Sequence, residues 1–400
     1  MSGYVGDLSA KQERALLQFK ESVSAIPQLQ DDRYLLRWLR ARNFNVHKSE
    51  KMIRQHMSYS KEYKLTEIMD WTPPEVLQRF YPAGWFGEDR EGSPVLYIPF
   101  GNVDLRGLLH SAKPYDVIRQ MLQQGVMSVA KMQQQSEKHG RVIEDVTVIF
   151  DLEKLSIQRH LWKPGIEVTC RGFNLFEANF PEILKAVYIL KASKIFPVAW
   201  GIVKPFVEEK TRKKVNVLGA NWQEELRKHI APDQLPEYYG GKCRDANDDP
   251  KCAEHICYGG DIPHSYYSSQ CDRASDSLNA TDISISRGSR HTVDVEVTKP
   301  LSVIRWEFQT DSHDIGFGLF FKGQVDSSIS MSVDEMDEMV SIKRWDCHRV
   351  PEDGHFVAEL VGTYVICFDN SHSWLRTKNV RFVVDVLDPV KMDEEDEVLS

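Results

Sequence analysis

The residues best suited to a ligand are apolar. Ile195 to Val207 reads Ile-Phe-Pro-Val-Ala-Trp-Gly-Ile-Val-Lys-Pro-Phe-Val, apolar nearly all round. A helix entered at Pro197 and stopped near Pro205 is roughly 15 Å long, too short to span a bilayer. Its excess apolar surface must therefore face protein, ligand or a membrane interface. Lys194, Lys204, Lys210, Arg212, Lys213 and Lys214 surround it. An apolar helix with a basic fringe suits a movable lid that touches a bilayer; a fixed buried helix fits the same residues equally well. Gly172 to Glu182 adds Phe173, Phe176 and Phe180 on a second helical stretch, able to line an apolar cavity or to fill a core.

Covalent chemistry finds little support. There is no Gly-x-Ser-x-Gly elbow, no phosphate loop ending in Gly-Lys-Ser/Thr and no His-Glu-x-x-His. Gly240-Gly241-Lys242 is followed by Cys243 rather than a hydroxyl residue, and Gly316-Phe317-Gly318 lacks the third glycine of a dinucleotide fingerprint. Cys243, Cys252, His255 and Cys257 have the right atoms for zinc but not the paired spacing of structural sites. The expectation is a non-enzymatic protein without metal or cofactor.

Several elements must position these segments. The chain has 400 residues, a length for two or three domains, with 42% hydrophobic residues and a net charge of −9. Residues 1–75 carry 12 Lys and Arg against 10 Asp and Glu, residues 76–242 carry 23 against 19, and residues 243–400 carry 15 against 30. A mildly basic front and an acidic back disfavour nucleic acid and let the front approach anionic lipid. Seven cysteines without a secretory leader indicate a reduced, cytoplasmic protein, and the absence of a long uncharged apolar run makes any membrane association peripheral and transient.

Ser9 and Gln12 form a capping-box signal before Leu16, Phe19, Val23 and Ile26, a helix ending near Pro27. Asp31 caps a second helix in which Leu35, Trp38 and Leu39 share a face while Arg33, Arg37 and Arg40 face elsewhere; a third runs from about Asn45 to Tyr63. From Pro94 onward, β-rich runs (Val95–Pro99, Val146–Asp151, Val187–Leu190, Val215–Leu218) alternate with helical stretches (Pro114–Lys138, Leu161–Leu184, Ser193–Val207), the pattern of a mostly parallel sheet covered by helices. Gly240 to Pro263 has no periodicity and reads as a linker. Beyond it, Ser289–Thr298, Val303–Phe308, Gly316–Phe321, Gly362–Phe368 and Arg381–Leu387 alternate as in an antiparallel sandwich.

The stretch Asp32 to Val46 (Asp-Arg-Tyr-Leu-Leu-Arg-Trp-Leu-Arg-Ala-Arg-Asn-Phe-Asn-Val), with Lys48-Ser49-Glu50 after it, closely resembles the N-terminal helical motif of the CRAL-TRIO lipid-transfer family. Phe150-Asp151-Leu152, Lys204-Pro205-Phe206 before Thr211-Arg212-Lys213-Lys214, and Val217-Leu218-Gly219 before Leu235-Pro236-Glu237-Tyr238-Tyr239-Gly240-Gly241 agree with it. Arg305-Trp306-Glu307-Phe308, Gly316-Phe317-Gly318 and Gly362-Thr363-Tyr364-Val365 resemble a GOLD domain, a β-sandwich of membrane-traffic proteins.

The resemblance implies a multidomain chain: a helical unit (1–75), an α/β CRAL-TRIO domain with a parallel sheet floor and an apolar lipid cavity (76–249), a linker (250–274), an all-β GOLD sandwich (275–386) and an acidic tail (387–400). It implies a cytosolic carrier of tocopherol, squalene or a similar lipid between membranes. The alternative is a phosphatidylinositol sensor or trafficking adaptor acting through the sandwich. Cavity and gate fall on Phe173, Phe176, Ile189, Phe196, Val198, Ile202, Val203 and Phe206, and a headgroup pair on Glu182 and Lys214. Family members that bind phosphatidylinositol carry hydroxyls on the strand where Val146 and Val148 stand here.

Overall fold

The computed structural model describes residues 2–24, 31–267, 280–323, 331–348, 351–373 and 376–389. The chain forms two compact units, residues 1–194 with 203–271, and residues 195–202 with 272–392. The expected end of the first helix near Pro27, residues 268–279 at the junction of linker and sandwich, and residues 390–400 of the acidic tail lie outside the described residues.

Three capped helices open the first unit. In α1 (Ala10–Ser22) the Gln12 amide donates to Ser9 Oγ (3.2 Å), while Gln12 Oε1 accepts from the Ser9 amide (2.8 Å). Asp31 caps α2 (Asp32–Ala41) through the Arg33 amide, and Asn45 caps α3 (Val46–Tyr63) through the Lys48 amide. Each cap satisfies an amide that has no partner within its helix, a contribution of about 1 kcal/mol. Phe19, Leu35, Leu36, Trp38, Leu39 and Ile53 close into their shared core. Arg40, expected to face elsewhere, is buried.

The remainder of the first unit runs α4 (Glu75–Phe80), β1 (Gly84–Glu88), β2 (Pro94–Ile98), α5 (Leu105–Ser111), α6 (Pro114–His139), β3 (Val146–Asp151), α7 (Ile157–His160), α8 (Lys163–Asn179) and β4 (Leu184–Leu190). After the gate segment come α10 (Glu209–Arg212), β5 (Val215–Val217) and α11 (Trp222–His229), α9 being the gate helix Phe196–Val203. The sheet order is β1-β2-β3-β4-β5; β1 pairs antiparallel with β2 and all later pairs are parallel. The expected long helix over Leu161–Leu184 ends at Asn179, because Pro181 and the left-handed Glu182 (φ 58°) turn the chain into β4. Helices α6 and α8 approach closely at Gly172, where an added Cβ would lie 2.3 Å from Met121 Sδ.

The segment read as a linker is packed onto this unit as far as it is described. Cys252 and Ile256 are fully buried and Ile262 nearly so. Ile256 bridges to Gly84, where any Cβ would meet the His255 carbonyl at 2.2 Å. Burial there is sparse and aperiodic, so no helical or strand pattern announces it.

The β-rich part of the second unit has eight described strands: β6 (Thr281–Ile285), β7 (Arg290–Val297), β8 (Ser302–Thr310), β9 (Ile315–Gly323), β10 (Asp337–Trp345), β11 (Glu352–Ala358), β12 (Gly362–Asp369) and β13 (Lys378–Leu387). They form two antiparallel sheets, β10-β9-β12-β7 and β11-β8-β13-β6. Val295, Phe317 and Phe368 from the first sheet share one core with Ile304, Phe308 and Phe382 from the second, which makes a sandwich. Strands β6, β10 and β11 are absent from the sequence reading. All three lie at sheet edges or carry mostly exposed side chains, so their alternation is weak.

Candidate functional site

Strand register divides the five-stranded sheet into two apolar faces. Side chains alternate along a strand, and parallel partners share a face. Val95 and Tyr97 of β2, Ile149 of β3 and Tyr188 and Leu190 of β4 lie in one cluster with Leu218, sealed by Leu226 of α11 and by Ile230, Leu235, Tyr239 and Ile256. The alternate residues form two rows on the opposite face. Register sets Leu96 beside Val148, Val148 beside Val187 and Val187 beside Val215; it likewise sets Ile98 beside Phe150, Phe150 beside Ile189 and Ile189 beside Val217. Leu96, Val148, Val187 and Ile189 are buried, while Ile98, Phe150, Val215 and Val217 keep part of their surface open. This is an eight-residue apolar floor without a polar side chain.

Of the expected cavity residues, Ile189 falls in this floor. Phe173 and Phe176 lie half-buried on α8, with the Phe176 ring 5.2 Å from that of Phe180. The gate is a two-turn helix, α9, followed by a single 3₁₀ turn at Lys204–Phe206, shorter than the expected Ser193–Val207. Phe196 and Val198 are buried, Ile202 and Val203 half-buried, and Phe206 is 39% exposed. Residues 195–202 group with the second unit, whereas Val203 and the 3₁₀ turn stay with the first, where the turn packs on α8.

The chain leaving the gate is anchored by polar contacts. Arg42, the C-cap of α2, pairs with Glu208 at 2.9 Å, and Lys210 Nζ donates to the Arg40 carbonyl at 2.7 Å. Arg40 itself pairs with Glu144 at 3.4 Å. Burial pushes the Glu177 carboxyl of α8 above its usual range, opposed by a hydrogen bond from Thr211. Three contacts thus tie residues 208–211 to α8 and to the C-terminal end of α2. Sequence reasoning missed them because each joins residues more than thirty positions apart.

The expected headgroup pair is split in this conformation. Glu182 pairs with Lys210 at 3.5 Å, while Lys214 Nζ donates to the Leu184 carbonyl. Lys214 stands just before β5, yet its side chain reaches the first residue of β4, two positions beyond Glu182. Val146 and Val148 are buried, and the hydroxyl between them, Thr147, faces away and donates to Asp89 at 2.9 Å.

A second polar cluster sits where β3 and β4 end, the end at which open α/β sheets bind ligands. Lys191, in the left-handed region (φ 55°), reaches Asp151 (3.1 Å), Glu153 (2.8 Å) and the Tyr238 hydroxyl (2.9 Å), with its ammonium 4.4 Å above the Tyr238 ring. Burial pulls its pKa down, but Glu153, Tyr238 and Asp151 outweigh this and raise it. This cluster pins the C-terminal Tyr238-Tyr239 segment to the sheet. Elsewhere, the Cys243, Cys252 and Cys257 thiols turn to three different backbone carbonyls, those of Asp233, Cys243 and Arg79.

Together these features define a class: an α/β protein with an apolar sheet floor, capped by a helical N-terminal unit and continued by a β-sandwich. Residues 78–241 match the CRAL/TRIO domain family model. Protein ctg-1 of Caenorhabditis elegans is 30% identical over 371 residues, covering 91% of this chain and 94% of that protein. The chain belongs to the CRAL-TRIO family. CRAL-TRIO domain-containing protein T23G5.2 of Caenorhabditis elegans is 31% identical over 331 residues, which is 80% of this chain but 45% of that protein, so the match spans less than half of that relative. The crystal structure of Sfh5 superposes with a TM-score of 0.51 at 18% identity, over 62% of this chain and 92% of its own, and shares the fold. A CRAL-TRIO domain is a module that binds and transfers lipophilic ligands, and among the described residues no helix is long and apolar enough to cross a membrane.

Proposed function

We propose that this protein is a non-enzymatic carrier that takes a neutral hydrophobic lipid of the tocopherol or squalene kind from one membrane and delivers it to another. The apolar floor carries the reading. Eight aliphatic and aromatic side chains in two rows offer a lipid no hydrogen-bonding partner, so the favoured cargo is one that needs none. Each buried CH₂ contributes about 0.8 kcal/mol, nearly what the bilayer offers, so uptake is reversible and the gate decides its direction. The exposed Phe206, in one 3₁₀ turn with Lys204, is the part of the gate that meets the bilayer surface. The sandwich, read as GOLD-like, engages a protein partner.

The deciding experiment measures movement of labelled tocopherol and squalene between donor and acceptor vesicles. Acceleration by catalytic amounts of protein supports the carrier; lipid binding without acceleration overturns it. A phosphatidylinositol sensor is the second reading, favoured by the Glu182, Lys210 and Lys214 side chains gathered at the start of β4. Phosphatidylinositol alone among the co-purifying lipids would establish it.

A further inference from the structure

One residue in the last turn of α2, Arg40, is held both by its backbone and by its side chain. Its carbonyl accepts Lys210 Nζ at 2.7 Å as well as the Asn43 amide at 3.1 Å, so it fastens the chain that leaves the gate. Its guanidinium, only 7% exposed, meets the loop ahead of α1. There Nη1 donates to the Gly3 carbonyl at 3.3 Å, and the Tyr4 ring centre lies 3.9 Å from the guanidinium carbon. The carboxylate on hand, Glu144 at 3.4 Å, also acts on Arg37. A buried cation must be met by charge, dipole or ring face, and the loop supplies the contacts that Glu144 does not.

The loop is shaped for that position. Asp7 closes it: Oδ2 accepts from the Ser2 amide at 2.6 Å, and the Asp7 amide donates to the Tyr4 carbonyl at 3.0 Å. Gly3 is buried in the left-handed region (φ 79°), where a Cβ would come within 2.9 Å of the Phe44 ring. Phe44 in turn packs on the core of the three helices. Tyr4 is 42% exposed, too open to belong to a core; what its ring meets is the cation.

We propose that residues 2–7 form a clasp and that Tyr4 is a positioning residue for the gate. By holding the Arg40 guanidinium, the clasp keeps the C-terminal end of α2 in place, where the Arg40 carbonyl holds Lys210 and Arg42 holds Glu208. Opening it frees Arg40 to turn to water and loosens residues 208–214 together with the 3₁₀ turn before them. The clasp stands apart from the carrier reading; its effect on cargo rests on that reading.

Hydrogen exchange of the full chain, read by mass spectrometry, tests the clasp directly. The Arg212, Lys213 and Lys214 amides donate to the Glu208, Glu209 and Thr211 carbonyls, so local opening exposes them. A cation–π contact at an exposed ring is worth roughly two- to fivefold in an equilibrium. Tyr4→Leu should speed exchange across residues 208–214 at least twofold, leave β3 unchanged and keep Tm within about two degrees. Tyr4→Phe, which keeps the ring face, should restore the parent rate. Gly3→Ala, which pushes the loop off Phe44, should act as Tyr4→Leu does, and it decides the matter if that variant fails to fold. Release of labelled squalene into phosphatidylcholine vesicles should rise at least twofold in the same two variants. Unchanged exchange at 208–214, a rise shared equally by β3, or Tyr4→Phe behaving as Tyr4→Leu would each overturn the clasp. Faster exchange with unchanged release, in a parent that carries squalene, would overturn its hold on the gate. A parent that carries no squalene would count against the carrier reading alone, and the exchange rates would then decide the clasp.

Discussion

The two faces of the five-stranded sheet are built from alternate residues of the same strands and are equally apolar, yet they end in different states. Val95, Tyr97, Ile149 and Leu190 are fully buried beneath α11 and the Leu235–Tyr239 segment, whereas Phe150, Ile98, Val215 and Val217 on the other face remain partly open. Hydropathy alone does not distinguish core from binding surface. The difference lies in whether later chain segments return to seal the face.

The sharpest way to break this comparison is one charge on each face. Ile149→Asp should abolish cooperative unfolding or prevent expression, because an unpaired buried charge costs several kcal/mol. Val217→Asp should lower Tm by only a few degrees yet reduce bound lipid at least tenfold, measured by thermal melts and mass spectrometry of co-purifying lipid. Equal destabilisation would mean that both faces are core.

The gate offers a smaller contrast. Phe196→Asp places a charge at a buried site and should cost about 3 kcal/mol or more, seen as a large drop in Tm. Phe206→Asp changes an exposed residue and should leave Tm within about two degrees while slowing vesicle-to-vesicle transfer severalfold. Wild-type transfer by Phe206→Asp would exclude the 3₁₀ turn from membrane contact.

A finer test concerns the opening of β4. Lys214 is committed to a backbone carbonyl and Lys210 to Glu182, so Lys214→Ala should weaken phosphatidylinositol binding modestly and leave tocopherol and squalene binding unchanged. A hundredfold loss confined to phosphatidylinositol, about 2.7 kcal/mol, would favour the second reading of function.

The smallest expected effect is on pH. Burial lowers the pKa of His56, His160, His229 and His355, so the unfolded chain binds more protons than the folded one below its histidine pKa of about 6.5. Stability is then present above that value and is lost as pH falls toward the lower folded pKa values. Glu177, with its pKa raised, acts in the opposite sense, gaining stability as the pH falls. Tm should drop between pH 7.5 and 5.5. His160→Gln should flatten the slope and Glu177→Gln steepen it; a slope unchanged in both would remove these groups from the account.

Much of the architecture was legible because it rests on local rules. Ser9, Asp31 and Asn45 stand before apolar residues at helical spacing, and each caps its helix. The four parallel strands β2 to β5 are runs dense enough in β-branched and aromatic residues to be read one at a time, although their limits moved by up to three residues where Glu182 turns the chain. The candidate site was less legible. Of the floor's eight residues, the cavity assignment contained only Ile189, although period-two alternation within strands already identified could have supplied the others. The anchors Arg42–Glu208 and Lys210–Arg40, the Lys191 cluster and the buried strap around Ile256 left no local signal, since each depends on segments that meet only after folding.

The sequence by itself determined the three N-terminal helices and the parallel strands β2 to β5, that the front is basic and the back acidic, and that apolar surface exceeds the needs of short helices around Phe173 and Phe196. Those properties follow from side-chain type and spacing within a few residues. Only the tertiary structure decided which face of the sheet is sealed, that Phe196 is buried while Phe206 is exposed, and that the segment around Ile256 packs back against Gly84. Burial and pairing depend on the return of distant chain, and no local pattern encodes that return.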